Sequence, residues 1–275
     1  MRRRWLAAPF ILWSAAFIVI PLLLIFYFGM TDPDGSFTWA NLRAMAEADN
    51  LKALGLALLL SVAATLICLL LAYPIALILA QSKTSRGMLI AMLFILPMWM
   101  NFLLRTLAWQ TLLEKNGVIN TILRAVHLPA IHLIYTPSAV VLGMVYNFLP
   151  FMILPLYTVL AKIDKDVQLA ARDLGANSWQ TFARITLPLS APGMISGITM
   201  VFVPSLTTFV ISDMLGGGKV QLIGNTIEQE FIQGSSWHVG SGLSIILMIF
   251  VLISMAFVAK YDPQQSGSLI GGEGS

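Results

Sequence analysis

Six apolar runs, each about as long as a bilayer is thick, dominate this 275-residue chain and leave it few ways to fold. A helix needs roughly 20 mostly apolar residues to cross a hydrocarbon core of about 30 Å. Runs of that length fall at about 9–30, 53–80, 88–111, 137–160, 191–213 and 241–259. In lipid each backbone N–H and C=O must find its partner internally, so these runs are read as helices. Only 11% of residues are charged and 58% are hydrophobic, far from the soluble norm of about 25% charged. The expected fold is an all-α integral membrane protein of six transmembrane helices. One transmembrane domain is expected over 1–260, followed by a Gly-rich flexible tail over 261–275. Met1-Arg2-Arg3-Arg4 opens like a secretory signal, but the apolar run behind it is too long and no Ala-x-Ala follows. The first run is therefore expected to be a retained span.

Lysines and arginines set the orientation. With the N-terminus inside, the inner segments hold Arg2, Arg3, Arg4, Lys83, Arg86, Lys162, Lys165, Arg172, Arg184 and Lys260. The outer loops hold Arg43, Lys52, Lys115, Arg124 and Lys219, and Arg105 remains inside a span. The bias predicts a multi-pass membrane protein with both termini cytoplasmic. Loops 31–52, 112–136 and 214–240 then lie outside. In the last of these, Asn225 and Glu228 have capping-box spacing and predict a short external helix.

The longest inner loop, 162–190, is built as two short helices around a glycine. Ala170 and Ala171 are small enough to enter a partner's cleft, and Gly175 suits a left-handed helix cap. Asn177 or Ser178 can cap a second helix running Trp179 to Thr186, which Leu187-Pro188 is expected to end. The stretch resembles the coupling loop of ABC-importer permeases, Glu-Ala-Ala, three residues, Gly, then Ile-x-Leu-Pro. Ala170, Ala171, Gly175, Ile185, Leu187 and Pro188 fall in register, while Leu169 stands where the family usually has Glu. The resemblance implies that Ala170, Ala171, Arg172, Asp173 and Gly175 meet a cytoplasmic ATPase. The departure at Leu169 bears on one polar contact or one helix-capping interaction.

Inside the spans lie Pro21, Pro74, Pro97, Pro150, Pro155 and Pro204, each removing a helical hydrogen bond. Two readings stand for them, a pathway wall or bundle packing. Gly193-x-x-x-Gly197 has the spacing of close helix approach. Arg105 and Asp213 lie about 25 and 33 Å along their helices at 1.5 Å per residue, toward the outer side. A charge at mid-bilayer costs about 2.5–3.5 kcal/mol, which makes both noteworthy. Asp213 either meets a cationic substrate or pairs with Arg105. Trp99, Trp109, Tyr146, Phe148 and Phe209 lie at comparable depth, either as cation–π walls or as an interfacial belt.

Ordinary enzyme chemistry finds no support. Gly216-Gly217-Gly218-Lys219 lacks the Ser/Thr and upstream Gly of a phosphate loop, so the chain itself is not expected to bind ATP. His127, His132 and His238 have no metal-ligand spacing, and the single Cys68 reads as a small core hydrophobe.

Further segments sharpen the resemblance: Ala72-Tyr73-Pro74, Leu103-Leu104-Arg105 with Trp109, Gly143 to Tyr157, Ser212 to Lys219, and Leu222 to Asn225. Over about residues 50–255 they resemble the B-type permease of spermidine/putrescine ABC importers. That family implies a non-catalytic permease working by alternating access. It implies a second permease subunit, an ATPase dimer that holds ATP and Mg, and an extracytoplasmic polyamine-binding protein. No cofactor bound by this chain and no nucleic acid is implied. Asp213, Tyr146, Trp109 and Phe209 are then candidate pathway residues, with Glu228 a weaker outer contact. A permease for another solute is the nearest alternative. A secondary transporter driven by ion gradients, or a membrane scaffold, leaves 162–190 unexplained.

Overall fold

The computed structural model describes residues 8–81, 93–94, 96–232 and 236–259. Among them the backbone is helical, with one isolated bridge between Thr31 and Phe37. The helices are α1 (Pro9–Met30), α2 (Ala40–Arg43), α3 (Ala48–Gln81), α4 (Phe102–Leu113), α5 (Val118–Ala125) and α6 (Pro137–Leu160). They continue as α7 (Lys165–Asp173), α8 (Ser178–Leu189), α9 (Ala191–Thr207), α10 (Val210–Gly216), α11 (Ile223–Ile232) and α12 (Trp237–Ala259).

Four of these are long and apolar enough to cross a membrane as single helices: α1, α3, α6 and α12. The fourth expected run matches α6 to the residue, because Thr136 caps it and Pro137 takes the first-turn position where no N–H is needed. The third and fifth runs are not single helices. Residues 82–92 and 95 of the region around 88–111 lie outside those described. The remainder is a 3₁₀ turn at Leu96–Trp99, a break, and then α4. Pro97 fits the turn, and the Asn101 side chain restarts the helix by accepting from Leu103 and Leu104 N–H at 2.8 and 3.4 Å. The fifth run breaks at Thr208–Phe209, a few residues after Pro204, leaving α10 as a separate short helix. The tail 261–275 also lies outside the described residues.

Two prolines expected to disturb helices are absorbed instead. The turns Ala15–Val19 and Phe182–Thr186 are π-helical, and each immediately precedes a proline, Pro21 and Pro188. Widening the hydrogen-bond register by one residue accommodates a ring that supplies no N–H. The second loop helix therefore does not end at Thr186; it runs on to Leu189 and bends by 61° into α9.

The chain forms two compact units, Met1–Gly55 with Leu222–Ile253, and Leu56–Gln221 with Ser254–Ser275. In the first, the C-terminal end of α1 packs on α12. A Cβ at Gly29 would collide with Ile245, and one at Gly242 would lie 2.6 Å from the Asn41 carbonyl carbon. The Asn41 amide donates to Phe28, Gly29 and Thr31 carbonyls at 3.4, 3.3 and 2.9 Å. His238 Nδ1 meets two of the same carbonyls, those of Phe28 and Thr31, and with two acceptors before it that nitrogen is the N–H donor. In the second unit α6 and α9 run antiparallel through a glycine seam. Gly193 faces the Pro155 carbonyl and Gly197 the Met152 sulfur, as the Gly-x-x-x-Gly spacing suggested. Above them Gly143 of α6 receives Ile211 and Leu215 of α10. Cys68 is fully buried here, its Sγ 3.8 Å from the Val145 carbonyl.

The seam has a measurable consequence. A Cβ at Gly197 would stand 2.6 Å from Met152 Sδ, whereas one at Gly55, inside α3, meets nothing within 4 Å. Gly197→Leu is expected to destabilise the purified protein by about 1–3 kcal/mol through overpacking. Gly55→Ala should stabilise it by about 0.5–1 kcal/mol through helix propensity. Thermal unfolding in detergent, followed by circular dichroism, checks both signs.

Candidate coupling surface and translocation pathway

The inner loop is shaped by its caps. Asp164 starts α7 by accepting from Asp166 N–H at 2.9 Å. At the other end Gly175 is left-handed, φ +85°, its N–H bonding the Arg172 carbonyl at 2.9 Å while Ala176 N–H bonds Ala171 at 3.0 Å. This bond pair is the Schellman arrangement, and it requires a glycine-like φ at position 175. Asn177 then caps α8 in a reciprocal box with Gln180, at 2.8 and 2.9 Å. Helix capping is thus provided by Asp164, Gly175 and Asn177. Leu169, mid-helix and exposed, takes no part in it.

Val167, Ala170, Ala171 and Leu174 recur at i, i+3, i+4 and i+7, which places them on one stripe of α7. Leu174 is 90% exposed and Val167 also faces solvent, while Ala171 is half-buried. Arg172, Asp173 and Gly175 are exposed as well. Among the described residues the stripe is an apolar face open to solvent at Val167, Ala170 and Leu174, flanked by charge. Val167 and Leu174 extend the surface inferred from the alanines, and helical periodicity is the signal that would have found them.

At the elbow, Ser190 is fully buried and its hydroxyl donates to the Leu187 carbonyl at 2.9 Å. Its remaining capacity is to accept, so the Tyr73 hydroxyl of α3 donates to it at 2.9 Å. The Tyr73 ring also meets Phe182 edge-on at 5.7 Å, and Phe182 meets Trp179 at 5.6 Å. One buried bond and a short aromatic chain therefore tie α8 to a long span. Sequence reasoning passed over Ser190, whose only mark is its place between Pro188 and Pro192.

The candidate pathway residues do not gather into one pocket. Trp109 of α4 and Tyr146 of α6 do meet, rings 5.3 Å apart and edge-on. They line a cleft of about 640 Å³ with Leu60, Ile67 and the N-terminal half of α6, nearly all apolar. Asp213 and Phe209 do not line that cleft. They lie around the break between α9 and α10, where Asp213 N–H bonds the Phe209 carbonyl at 2.8 Å and the Asp213 side chain is exposed. Glu228 sits on α11 in the other compact unit. Phe148, grouped with the wall aromatics, is instead buried in the helix core.

Arg105 is buried, with Nε and Nη1 lacking hydrogen-bond partners, and its guanidinium lies 6.0 Å from the Phe102 ring centroid. Among the described residues it makes no ion pair with Asp213. Asn225 is not the cap of the external helix: α11 begins at Ile223, and buried Asn225 reaches back to accept from Leu222 N–H at 3.1 Å. His127 and His132 are exposed loop residues, and the described residues hold no cluster of His, Cys, Asp and Glu suited to a metal.

Comparison with known proteins places this architecture. The chain is 37% identical over 249 residues to the spermidine/putrescine transport system permease protein PotB of Haemophilus influenzae, covering 88% of this chain and 87% of that protein. It is 38% identical over 246 residues to PotB of Escherichia coli K12, covering 86% and 89%. By structure it resembles a bacterial ABC transporter involved in import of the acidic polysaccharide alginate. The TM-score is 0.76 at 18% identity, with 96% of each chain covered. A second match is to the alginate transporter in complex with an alginate pentasaccharide-bound periplasmic protein, at TM-score 0.75, 16% identity and 96% of each chain. Residues 72–265 match the family described as binding-protein-dependent transport system inner membrane component, and the chain belongs to that family.

Proposed function

We propose that this chain is a permease subunit of an ATP-driven polyamine importer, and that Asp213 receives an ammonium group of the substrate at the outer end of its pathway. The observation that carries the substrate class is the 37–38% identity, over most of the chain, to permeases named for spermidine and putrescine. Asp213 adds chemistry to it: an exposed carboxylate at a helix break, free of Arg105. Trp109 and Tyr146 offer an apolar aromatic cleft suited to the methylene segments between charges rather than to the charges themselves. Phe209 stands beside Asp213 in sequence, and Glu228 is kept as a weaker outer contact.

The helix order suggests how force travels. A partner ATPase dimer, holding ATP and Mg, closes against the α7 surface of Ala170, Ala171, Arg172, Asp173 and Gly175. Helix α8 is pinned at its elbow and continues at 61° into α9. That helix is 17 residues long, about 25 Å at 1.5 Å per residue, and ends at the break that carries α10 and Asp213. Because α9 is seated on α6 through Gly193 and Gly197, the two move as a pair. Nucleotide can shift the pathway only to the extent that it binds one conformation better than the other. A second permease, expected to be a different chain, completes the pathway, and an extracytoplasmic binding protein delivers substrate. Both termini and 162–190 lie in the cytoplasm under this reading.

Three outcomes follow. In the reconstituted importer, Gly175→Val should abolish polyamine-stimulated ATP turnover while the protein still inserts. The position has room for a side chain but not a β-branched φ of +85°. Ordinary stimulated turnover would refute the coupling role. Asp213→Asn should lower uptake kcat/KM about 10- to 100-fold, the loss of one hydrogen bond to a charged group. Adding Arg105→Gln should not rescue it, and rescue in radiolabelled spermidine uptake would return Asp213 to a structural role. For orientation, a cysteine placed by Ser178→Cys in a Cys68→Ser background should resist impermeant maleimide in intact cells and react in inverted vesicles.

A further inference from the structure

The segment between α1 and α3 is short, braced and oddly dressed. Thr31 and Phe37 form a β-bridge, Gly35 N–H closes a turn on the Asp32 carbonyl at 2.8 Å, and Thr38 N–H bonds Met30 at 2.9 Å. Asn41, buried beneath, holds three carbonyls of the α1 end. A backbone fixed at so many points has no freedom to choose where its side chains point. Yet Phe37 is 63% exposed and Trp39 53% exposed, their rings edge-on at 5.3 Å. Asn41, Ala44 and Met45 of the same segment are buried, while the two rings are left outside. With Arg43 and Glu47 they border a groove of about 450 Å³. Rigid aromatics around a partly charged groove are the usual anchors of a protein interface.

We infer that Phe37, Trp39 and the groove they border with Arg43 and Glu47 are a docking site for the extracytoplasmic binding protein, which meets it with a basic face around an apolar socket. Charge favours that occupant over lipid. The segment carries Asp32, Asp34, Glu47 and Asp49 against Arg43 and Lys52, and Lys52 is already bound to Asp49 at 3.1 Å. Anionic bilayer surfaces attract basic segments and repel acidic ones. The family is defined by dependence on a binding protein, which must touch the outer face. The site also sits where docking has leverage, because Asn41 and His238 lock the same carbonyls that end α1. The inference rests on the importer reading and the orientation given above.

The test uses the full importer in nanodiscs with its polyamine-loaded binding protein, reading ATP turnover against binding-protein concentration. Phe37→Ser with Trp39→Ser is expected to raise the half-saturating concentration about 10-fold or more, with turnover at saturation retained. Arg43→Glu, an exposed rim change, should shift it in a salt-dependent way. An unchanged half-saturation in both variants overturns the docking site. Should the double variant fail to assemble, Phe37→p-benzoylphenylalanine in the otherwise native complex decides directly. A photo-adduct with the binding protein supports the site, and adducts with lipid or the second permease alone overturn it. If the native complex shows no stimulation by the loaded binding protein at all, the importer reading fails first and this inference goes with it.

Discussion

Helices in lipid gain little from being apolar toward one another, because the surrounding chains are as apolar as leucine. What holds α6 to α9 is therefore close contact, and close contact needs missing side chains. Gly193 and Gly197 let the backbone of Pro155 and Met152 approach, and Gly143 takes the branched side chains of Ile211 and Leu215. Everything proposed for this chain's motion passes through that seam. The elbow at Ser190 lies at the N-terminal end of α9 and the break at Thr208–Phe209 at its C-terminal end. In the proposed motion, a loose seam would let α9 slide without moving α6, so displacement at 162–190 would reach α10 and Asp213 but leave the cleft wall of α6 behind.

Prolines show how the same environment constrains the backbone. A freed carbonyl costs several kcal/mol in hydrocarbon; Pro74, Pro150 and Pro155 stay within continuous α-helix, while at three other prolines the backbone itself changes. Two devices appear. Ahead of Pro21 and Pro188 a π turn shifts the hydrogen-bond register. After Pro204 the helix ends, and a new one begins three residues beyond Thr207. The first device keeps a helix going and the second makes a joint. That Asp213 lies just past a joint, and the coupling helix just before a π turn and an elbow, places the deformable points of unit two at both ends of α9.

How much of this was legible in the sequence depended on whether the signal was local. Apolar length gave α1, α3, α6 and α12 within a few residues, because spanning is a property of one segment. Gly175 and Asn177 were readable for the same reason: a left-handed cap and a capping box are settled within six residues. Pro188 misled because breaking a helix is the rule for a lone proline, and the π turn that rescues it has no residue signature. Asn225 misled because the spacing of a capping box fits two registers, and burial of Ile223 and Gly224 chose the earlier one. Phe148 and Trp99 look alike in sequence, yet one is buried and the other 83% exposed, a difference made only by which helix lies alongside.

Substrate selection is the least local property of all. The fold that carries this chain also carries an importer of an acidic polysaccharide, so on the polyamine reading one scaffold serves cargoes of either sign. Discrimination has to reside in a few side chains, and here they are divided. An apolar aromatic cleft holds Trp109 and Tyr146, the exposed carboxylate stands apart on α10, and Arg105, the one buried cation among the described residues, has Nε and Nη1 without partners. An extended diamine or triamine alternates charge and hydrocarbon along its length, and a path with separate apolar and anionic stations matches that alternation without closing around it. A compact cation would need its carboxylate and its aromatic walls in one place, which the geometry of α4, α6 and α10 in this chain does not provide. Under the proposed polyamine reading, the spacing of the stations, rather than any single residue among them, is what would separate a polyamine from a simple amine.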